Sequence, residues 1–447
     1  MMTMKKIFTI LLICILAAGF CFSAGCVQET EKVKLTIKSP ALTMNCITDS
    51  EISDSTGFLN KAWNAFAAQY TKYDVSADII EFAQTDYDKY VSGMYDTENA
   101  ADILYADYFN MATYIHDGYA VPLDDIITDD IRADVDQGYW DASTASENGK
   151  TYMLPFTNRQ NIVIFNEDLF RAAGLEKYCG KGEVIQSWSL DEWNSVLAAL
   201  KENLPKGTYP MFMYAKNNQG DTHIMILLRS QGCKFFDENG RFNVNTPEGI
   251  AALQWIKDNY DAGYYIPKCE DIEILDCTNS FTGKQLAMLV GNAALIDQLS
   301  EAGINNIGYV NFPSSDGSGY ATSFVTGFMA FDNGDAKKLE AAKDFLKYIF
   351  ENEEWLAYSA GGIPCSKKIA AQYNDAIQGA AMYIANSGHV VDYTANNPNW
   401  LGVRAAFWPN IHALLKGEMT PAETAAAIDA SCNAAIEEGY AKSRLHE

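Results

Sequence analysis

The sequence predicts an α/β fold in two lobes, each a mostly parallel sheet flanked by helices, joined by crossings of the chain. Three observations lead there. From Val33 onward, short apolar runs of strand length alternate with amphipathic runs at helical spacing, the pattern of repeated strand–helix–strand units. At 447 residues with 48% hydrophobic content, there is ample chain for one large or two medium globular units. No repeat or low-complexity linker marks a flexible boundary, so two lobes require the chain to pass between them more than once.

The amino terminus reads as a leader. Lys5 and Lys6 precede an apolar run, Ile7 to Phe22, that is too short and wrongly flanked for an ordinary membrane span. It ends in Ser23-Ala24-Gly25-Cys26, which resembles the processing site of lipoproteins, where small residues precede a cysteine that receives lipid. Serine stands at position 23 where leucine is usual. Residues 1–25 are therefore expected to be a lipoprotein signal peptide, Cys26 the lipidated residue, and 26–32 a short tether.

The elements follow in order. Val33, Leu35 and Ile37 mark a first strand, Phe58 to Tyr70 a helix, and Val75 to Ile80 a second strand. Tyr87, Tyr90, Val91 and Met94 fall on one helical face, and Asp102 to Asp107 is a short apolar strand. Ligands of such sheets bind beyond the carboxyl ends of the strands, which points to the loops at Pro40–Asp49 and Asp107–Asn110. Gly149 to Leu175 reads as strand, polar break at Asn158–Gln160, strand and capped helix, and is the expected crossing between lobes. Ser189 with Glu192 forms a capping box for a helix to Leu200; Tyr209–Tyr214 is a strand and Asp221–Ser230 an apolar helix. Thr246 with Pro247 opens another helix, which closes at Gly263. A buried strand before Asn292 and strands at Ile307–Val310 and Phe324–Phe331 precede a long helix from Asp335 to about Tyr358. Ala370–Asn386 and Val403–Leu415 read as helical, with a kink or break at Pro409, and Thr420 with Glu423 caps the last helix.

Charge and composition exclude several partners. The net charge is −25; without residues 1–25 the balance is 31 basic to 58 acidic residues, a net of −27, which repels nucleic acid and anionic lipid. The 25 tyrosines and 8 tryptophans supply flat amphipathic surfaces suited to recognition as well as to core filling. No Cys-x-x-Cys occurs, the five histidines show no metal spacing, and no cofactor or metal is implied. Cys269 and Cys277 are the only cysteines close in sequence after the leader, which makes them the candidate disulfide.

Seven motifs then recur in one order. They are Asp102-Ile-Leu-Tyr-Ala-Asp-Tyr with Gly118-Tyr-Ala-Val-Pro-Leu-Asp-Asp125; Gly149-Lys-Thr-Tyr-Met-Leu-Pro155; and Phe165-Asn-Glu-Asp-Leu-Phe-Arg-Ala-Ala-Gly-Leu175. Trp188-Ser-Leu-Asp-Glu-Trp193, Phe281-Thr-Gly-Lys-Gln-Leu-Ala-Met288, Glu340-Ala-Ala-Lys-Asp-Phe-Leu-Lys347 and Gly361-Gly-Ile-Pro364 complete the set. Together they resemble the extracellular solute-binding proteins of carbohydrate ABC transporters, the family that includes maltodextrin-binding proteins. The resemblance covers nearly all of the mature chain. It implies a two-lobed periplasmic-binding-protein fold (type II-like) that closes on a ligand in the cleft, without catalysis. The expected lobes are 33–157 plus about 304–345, and 158–303 plus about 346–447.

The resemblance implies a lipid-anchored monomer on the extracytoplasmic face of the cell membrane. Its partners would be a small carbohydrate and the permease subunits of an ABC transporter, with no nucleic acid. Asp107 and Tyr108 stand at a strand end, where a helix cap and packing are the alternatives. Asn158 and Arg159 occupy the polar break, where an ion pair across the crossing is the alternative for Arg159. Asn292 follows a buried strand at a position where the family often has tryptophan. Thr326, before Gly327, lies where the family has a glycine-rich turn. Trp400 and Arg404, one helical turn apart, could stack on and hydrogen-bond one sugar, or Trp400 could plug the core. Two other functions compete. One is a receptor for a polyamine or iron complex, favoured by Asp107, Tyr105 and Tyr108; the other is a secreted hydrolase, for which no Gly-x-Ser-x-Gly or His-Glu-x-x-His motif is present.

Overall fold

The structure is a computed structural model that describes residues 31–445, apart from 43, 85, 146, 147, 360, 361, 377, 378, 392, 393, 395 and 396. The leader, the expected lipidation at Cys26, and Gly361 of the last motif lie outside the described residues.

The first lobe grows from the strand Lys32–Pro40, whose buried Val33, Leu35 and Ile37 alternate with polar neighbours as read from sequence. It pairs in parallel with Asp74–Phe82 over its whole length and with Ile103–Asp107 on its other edge. The helix Ser55–Ala67 is capped by Asp54 and covers the sheet with Phe58, Leu59, Ala62, Trp63 and Phe66, the residues at helical spacing.

One strand organises the molecule. Leu154–Asn166 runs unbroken for 13 residues. Its first half pairs antiparallel with Thr322–Ala330, and its second half lies between Leu286–Gly291 and Ile307–Val310. The expected polar break at Asn158–Gln160 is therefore a correction: these residues keep strand geometry because Thr322–Val325 pairs with Asn158–Asn161 directly. Pro155 pairs with Gly327 at a register shift, the kind of irregularity at which a sheet tolerates proline. In the second lobe Tyr209–Met211 runs parallel to Leu286–Gly291, and Ile185–Gln186 parallel to Ile307–Val310. The fold is thus two α/β lobes with parallel outer strands, tied by antiparallel crossing strands.

Two hydrophobic cores divide the chain, and they differ from the expected lobe boundaries. Residues 304–321 contribute Ile304, Tyr309, Val310, Phe312 and Ala321 to the second core, not the first. Val325 to Ile369 contributes Phe328, Phe345, Leu346, Ile349 and Trp355 to the first. The pairing of Ile307–Val310 with the far half of the crossing strand explains the first shift; the helix Ala336–Glu351, which packs against the Lys32–Pro40 strand, explains the second.

Both predicted capping boxes, at Ser189 and Thr420, are formed, as is the Thr246–Pro247 helix start. The long helix ends at Glu351 rather than near Tyr358, because Asn352 turns extended before a short helix Glu353–Leu356. The expected helix 370–386 is two pieces, Lys367–Gln372 and Ala380–Ala385, the second opened by left-handed Gly379 (φ +72°). Tyr87–Tyr90 and Ser92–Met94 are a helical turn and a 3-10 turn rather than one helix. Pro409 neither breaks nor splits its helix, which runs from Trp400 to Lys416 with Val403, Phe407, Ile411 and Leu414 held in the core. Cys269 and Cys277 are buried free thiols, so the candidate disulfide is not formed.

Candidate functional site

A cavity of about 730 Å³ lies between the two cores, at the face of the crossing strands where Arg159, Asn161 and Phe324 emerge. Alternation along a strand places Arg159 and Asn161 on one face, and Asn158 and Gln160 on the other. Arg159 Nη2 donates to Asp107 Oδ1 at 2.8 Å, and the same oxygen accepts Thr326 Oγ1 at 2.6 Å. Three strands thus fix the guanidinium and carboxylate. Gly362 allows this packing, because a Cβ there would sit 2.5 Å from Arg159 Cγ. Arg159 Nε is enclosed and has no hydrogen-bond acceptor among the described residues.

The second lobe answers with its own charge pair. Arg404 Nε donates to Asp221 Oδ2, and its Nη2 donates to Asn218 O at 3.0 Å, which ties the helix Trp400–Lys416 to the start of the helix Asp221–Arg229. Asn292 Nδ2 donates to Asn161 Oδ1 at 3.1 Å, joining the crossing strand to the end of Leu286–Gly291.

Aromatic side chains complete the walls. Phe109 packs edge-on to Phe324 (centroids 4.8 Å apart), and Tyr87 lies on the first-lobe side. Burial, and then the negative charge of Asp107, push the Tyr87 phenol above its usual pKa, so it remains a donor. On the second-lobe side the Tyr214 ring lies 4.1 Å from the imidazole of His223. Burial lowers the His223 pKa to about 3, so the ring is neutral at physiological pH. Ile274 and Leu275 stand exposed at the rim.

The sequence profile of the bacterial extracellular solute-binding proteins matches residues 51–354, more than half of the chain. The chain belongs to that family. A binding protein of Brucella abortus (strain 2308) is 23% identical to this solute-binding protein over 290 residues, 64% of this chain; the match spans 65% of that relative's length. Among solved structures, the maltose-bound binding protein of T. maritima aligns at a TM-score of 0.68 and 18% identity, over 89% of this chain and 98% of that one. The cyclic alpha-maltosyl-1,6-maltose binding protein of Arthrobacter globiformis aligns at 0.70 and 19%, over 91% and 100%. At these identities the likeness establishes the two-lobed fold.

In this solute-binding protein, Asp107, Arg159, Asn292 and Arg404 of the sequence candidates meet at the interlobe cavity. The other four do not. Tyr108 is buried and turns toward a different cavity, because it follows Asp107 at the start of a 3-10 turn. Asn158 is buried on the reverse face, donating to Tyr139 and accepting from Ser323. Thr326 is fully buried and reaches the site only through Asp107. Trp400 is fully buried in the second core, the core-plug alternative. Of the loop Pro40–Asp49, no described residue lines the cavity; Asp49 pairs with Lys61 and accepts from Tyr358 instead. Sequence reasoning missed Asn161, Tyr214, His223 and Phe324. Alternation from Arg159 points to Asn161; the other three carry no local signal.

Proposed function

We propose that this protein is the lipid-anchored receptor of an ABC importer, which captures a sugar or short oligosaccharide in the interlobe cleft and hands it to permease subunits. The observation that carries this is the composition of the cleft. Two guanidinium–carboxylate pairs and one amide pair, Asn161–Asn292, are pre-oriented beside the aromatic faces of Tyr87, Phe109, Tyr214 and Phe324. Planar polar groups suit the hydroxyls of a sugar ring, and aromatic faces suit its C–H surface. A maltose-bound protein and a cyclic alpha-maltosyl-1,6-maltose binding protein, both of the same fold, favour the same solute class. Closure would add contacts in one state only, and that bias converts binding into a signal.

On this proposal Asp107, Arg159, Asn161, Asn292 and Arg404 contact the solute, and Cys26 carries the lipid on the extracytoplasmic face. The protein acts as a monomer, without cofactor or catalysis, and its lobes follow the two cores. A thermal-shift screen of mono- and oligosaccharides tests the solute class. A ligand at about a hundred times its dissociation constant should add about 2.7 kcal/mol of stability. Stabilisation by another solute class alone would sink the carbohydrate assignment, and turnover of labelled oligosaccharides would sink the binding-only role. A Cys26→Ser variant recovered unlipidated from the medium, with the parent in the membrane fraction, would support the anchor; equal distribution would refute it. A cationic solute is disfavoured because the carboxylates of Asp107 and Asp221 are each already paired with an arginine.

A further inference from the structure

A second cavity, of about 640 Å³, lies on the opposite face of the crossing strands. The strand Thr322–Ala330 shows this directly: Phe324 lines the solute cleft, while Ser323 and Val325 line the second cavity. Asn158, which sequence reading placed at the solute, bridges Tyr139 and Ser323 behind this second cavity, and Tyr108 forms part of its wall. Tyr108, Tyr139 and Val325 come from the first lobe; Val390 and Val391 come from the second. The volume falls within the range of small-molecule sites, about 300–1,000 Å³.

Its chemistry differs from that of the cleft. Asp136 and Asp141 stand exposed at the mouth, and no lysine or arginine is among the described residues that line it. Lys367 Nζ is 3.7 Å from Asp136 Oδ1, but both side chains are at least half exposed, so solvent screens that pair. Asp141 Oδ1 accepts Gln137 Nε2 at 2.8 Å, a neutral partner that leaves its charge in place. Two tyrosine rings and three valines line it, with the hydroxyls of Ser323, Ser387 and Thr394.

We propose that this cavity is a second ligand site, for a small organic cation with an apolar body. The ammonium group sits at the mouth between Asp136 and Asp141. The body lies between the rings of Tyr108 and Tyr139 and the valine side chains, where ring faces attract the cation and apolar surface leaves water. Asp136 and Asp141 repel anions. A net charge of −25 raises the local concentration of cations at the surface. This site is independent of the solute assigned to the cleft.

Titration calorimetry with phenethylamine on the folded protein tests the proposal, with phenethyl alcohol as the neutral counterpart. The amine should bind one saturable site about tenfold or more tightly than the alcohol, and added salt should weaken it. Asp136→Asn combined with Asp141→Asn changes two exposed groups, so melting should be preserved while amine affinity falls about tenfold. Arg159→Met, in the solute cleft, should leave amine affinity unchanged. Three results would overturn the site: no saturable amine binding, equal binding of the alcohol, or a changed amine affinity in Arg159→Met, which would put it in the solute cleft.

Discussion

Arg159 and Asp107 are 52 positions apart in sequence, yet Arg159 Nη2 lies 2.8 Å from Asp107 Oδ1 at the floor of the cleft. Thr326 donates to the same carboxylate oxygen, so the end of one parallel strand and two crossing strands are locked at a single atom. The pair is the ion pair offered as the alternative for Arg159: it ties the crossing together, and both residues line the cleft.

Replacing Arg159 separates these roles. Arg159→Met leaves a carboxylate at the cleft floor without its guanidinium, and stability should fall by about 1–3 kcal/mol. Solute affinity should fall at least about tenfold, because a charge-assisted donor is lost. Arg159→Lys should restore stability more than affinity, since an ammonium keeps the charge but not the planar fork. Denaturant titration and calorimetry on the same variants read the two effects; full solute affinity in Arg159→Met would contradict the assignment.

Trp400 should behave as core. It is fully buried among Val403, Phe407 and other second-lobe side chains. Trp400→Ala is expected to cost about 3–5 kcal/mol of stability through the cavity it leaves. Solute affinity of the molecules that remain folded should be unchanged. A selective loss of affinity at normal stability would restore the stacking role.

His223 predicts a dependence on acid. Its ordinary pKa of 6.5 falls to about 3 in the folded state through burial, so the unfolded chain takes up a proton at a higher pH than the folded one. The stability from keeping this ring neutral is full above about pH 6.5 and drains away as pH falls from there toward 3. Between pH 7 and pH 5 its contribution should drop by about 1–2 kcal/mol. Urea denaturation of the parent and of His223→Gln checks this; the variant should show a shallower loss over that range, and an identical slope would remove His223 as its source.

The last helix predicts a strap. Ala425, Ile428, Cys432 and Ile436 anchor it in the second core, but the chain beyond it returns to the first lobe. Arg444 N donates to His116 O at 2.7 Å, His116 Nδ1 lies 2.8 Å from Ser443 Oγ, and the Arg444 guanidinium sits over the ring of Tyr119. Truncation after Lys442 should loosen the lobes. Small-angle scattering of the solute-free protein should report a larger radius of gyration, whereas an unchanged radius would show that the strap carries no load.

Much of this protein is determined locally. Capping boxes at Ser189 and Thr420, the buried alternation of Val33, Leu35 and Ile37, and the helical face of Phe58 to Phe66 follow from short-range chemistry that packing did not overrule. The same short range explains the errors. A polar triplet at Asn158–Gln160 looks like a pause, until the partner strand from Thr322 arrives to pair with it. Pro409 looks like a break, until the core holds its helix on both sides. Sequence determined the order of elements, the family and the polar residues worth watching. Only tertiary structure decided which of them meet, because a strand offers its neighbouring residues to opposite faces. Arg159 reached the cleft and Asn158 the reverse face, bonded to Tyr139 and Ser323.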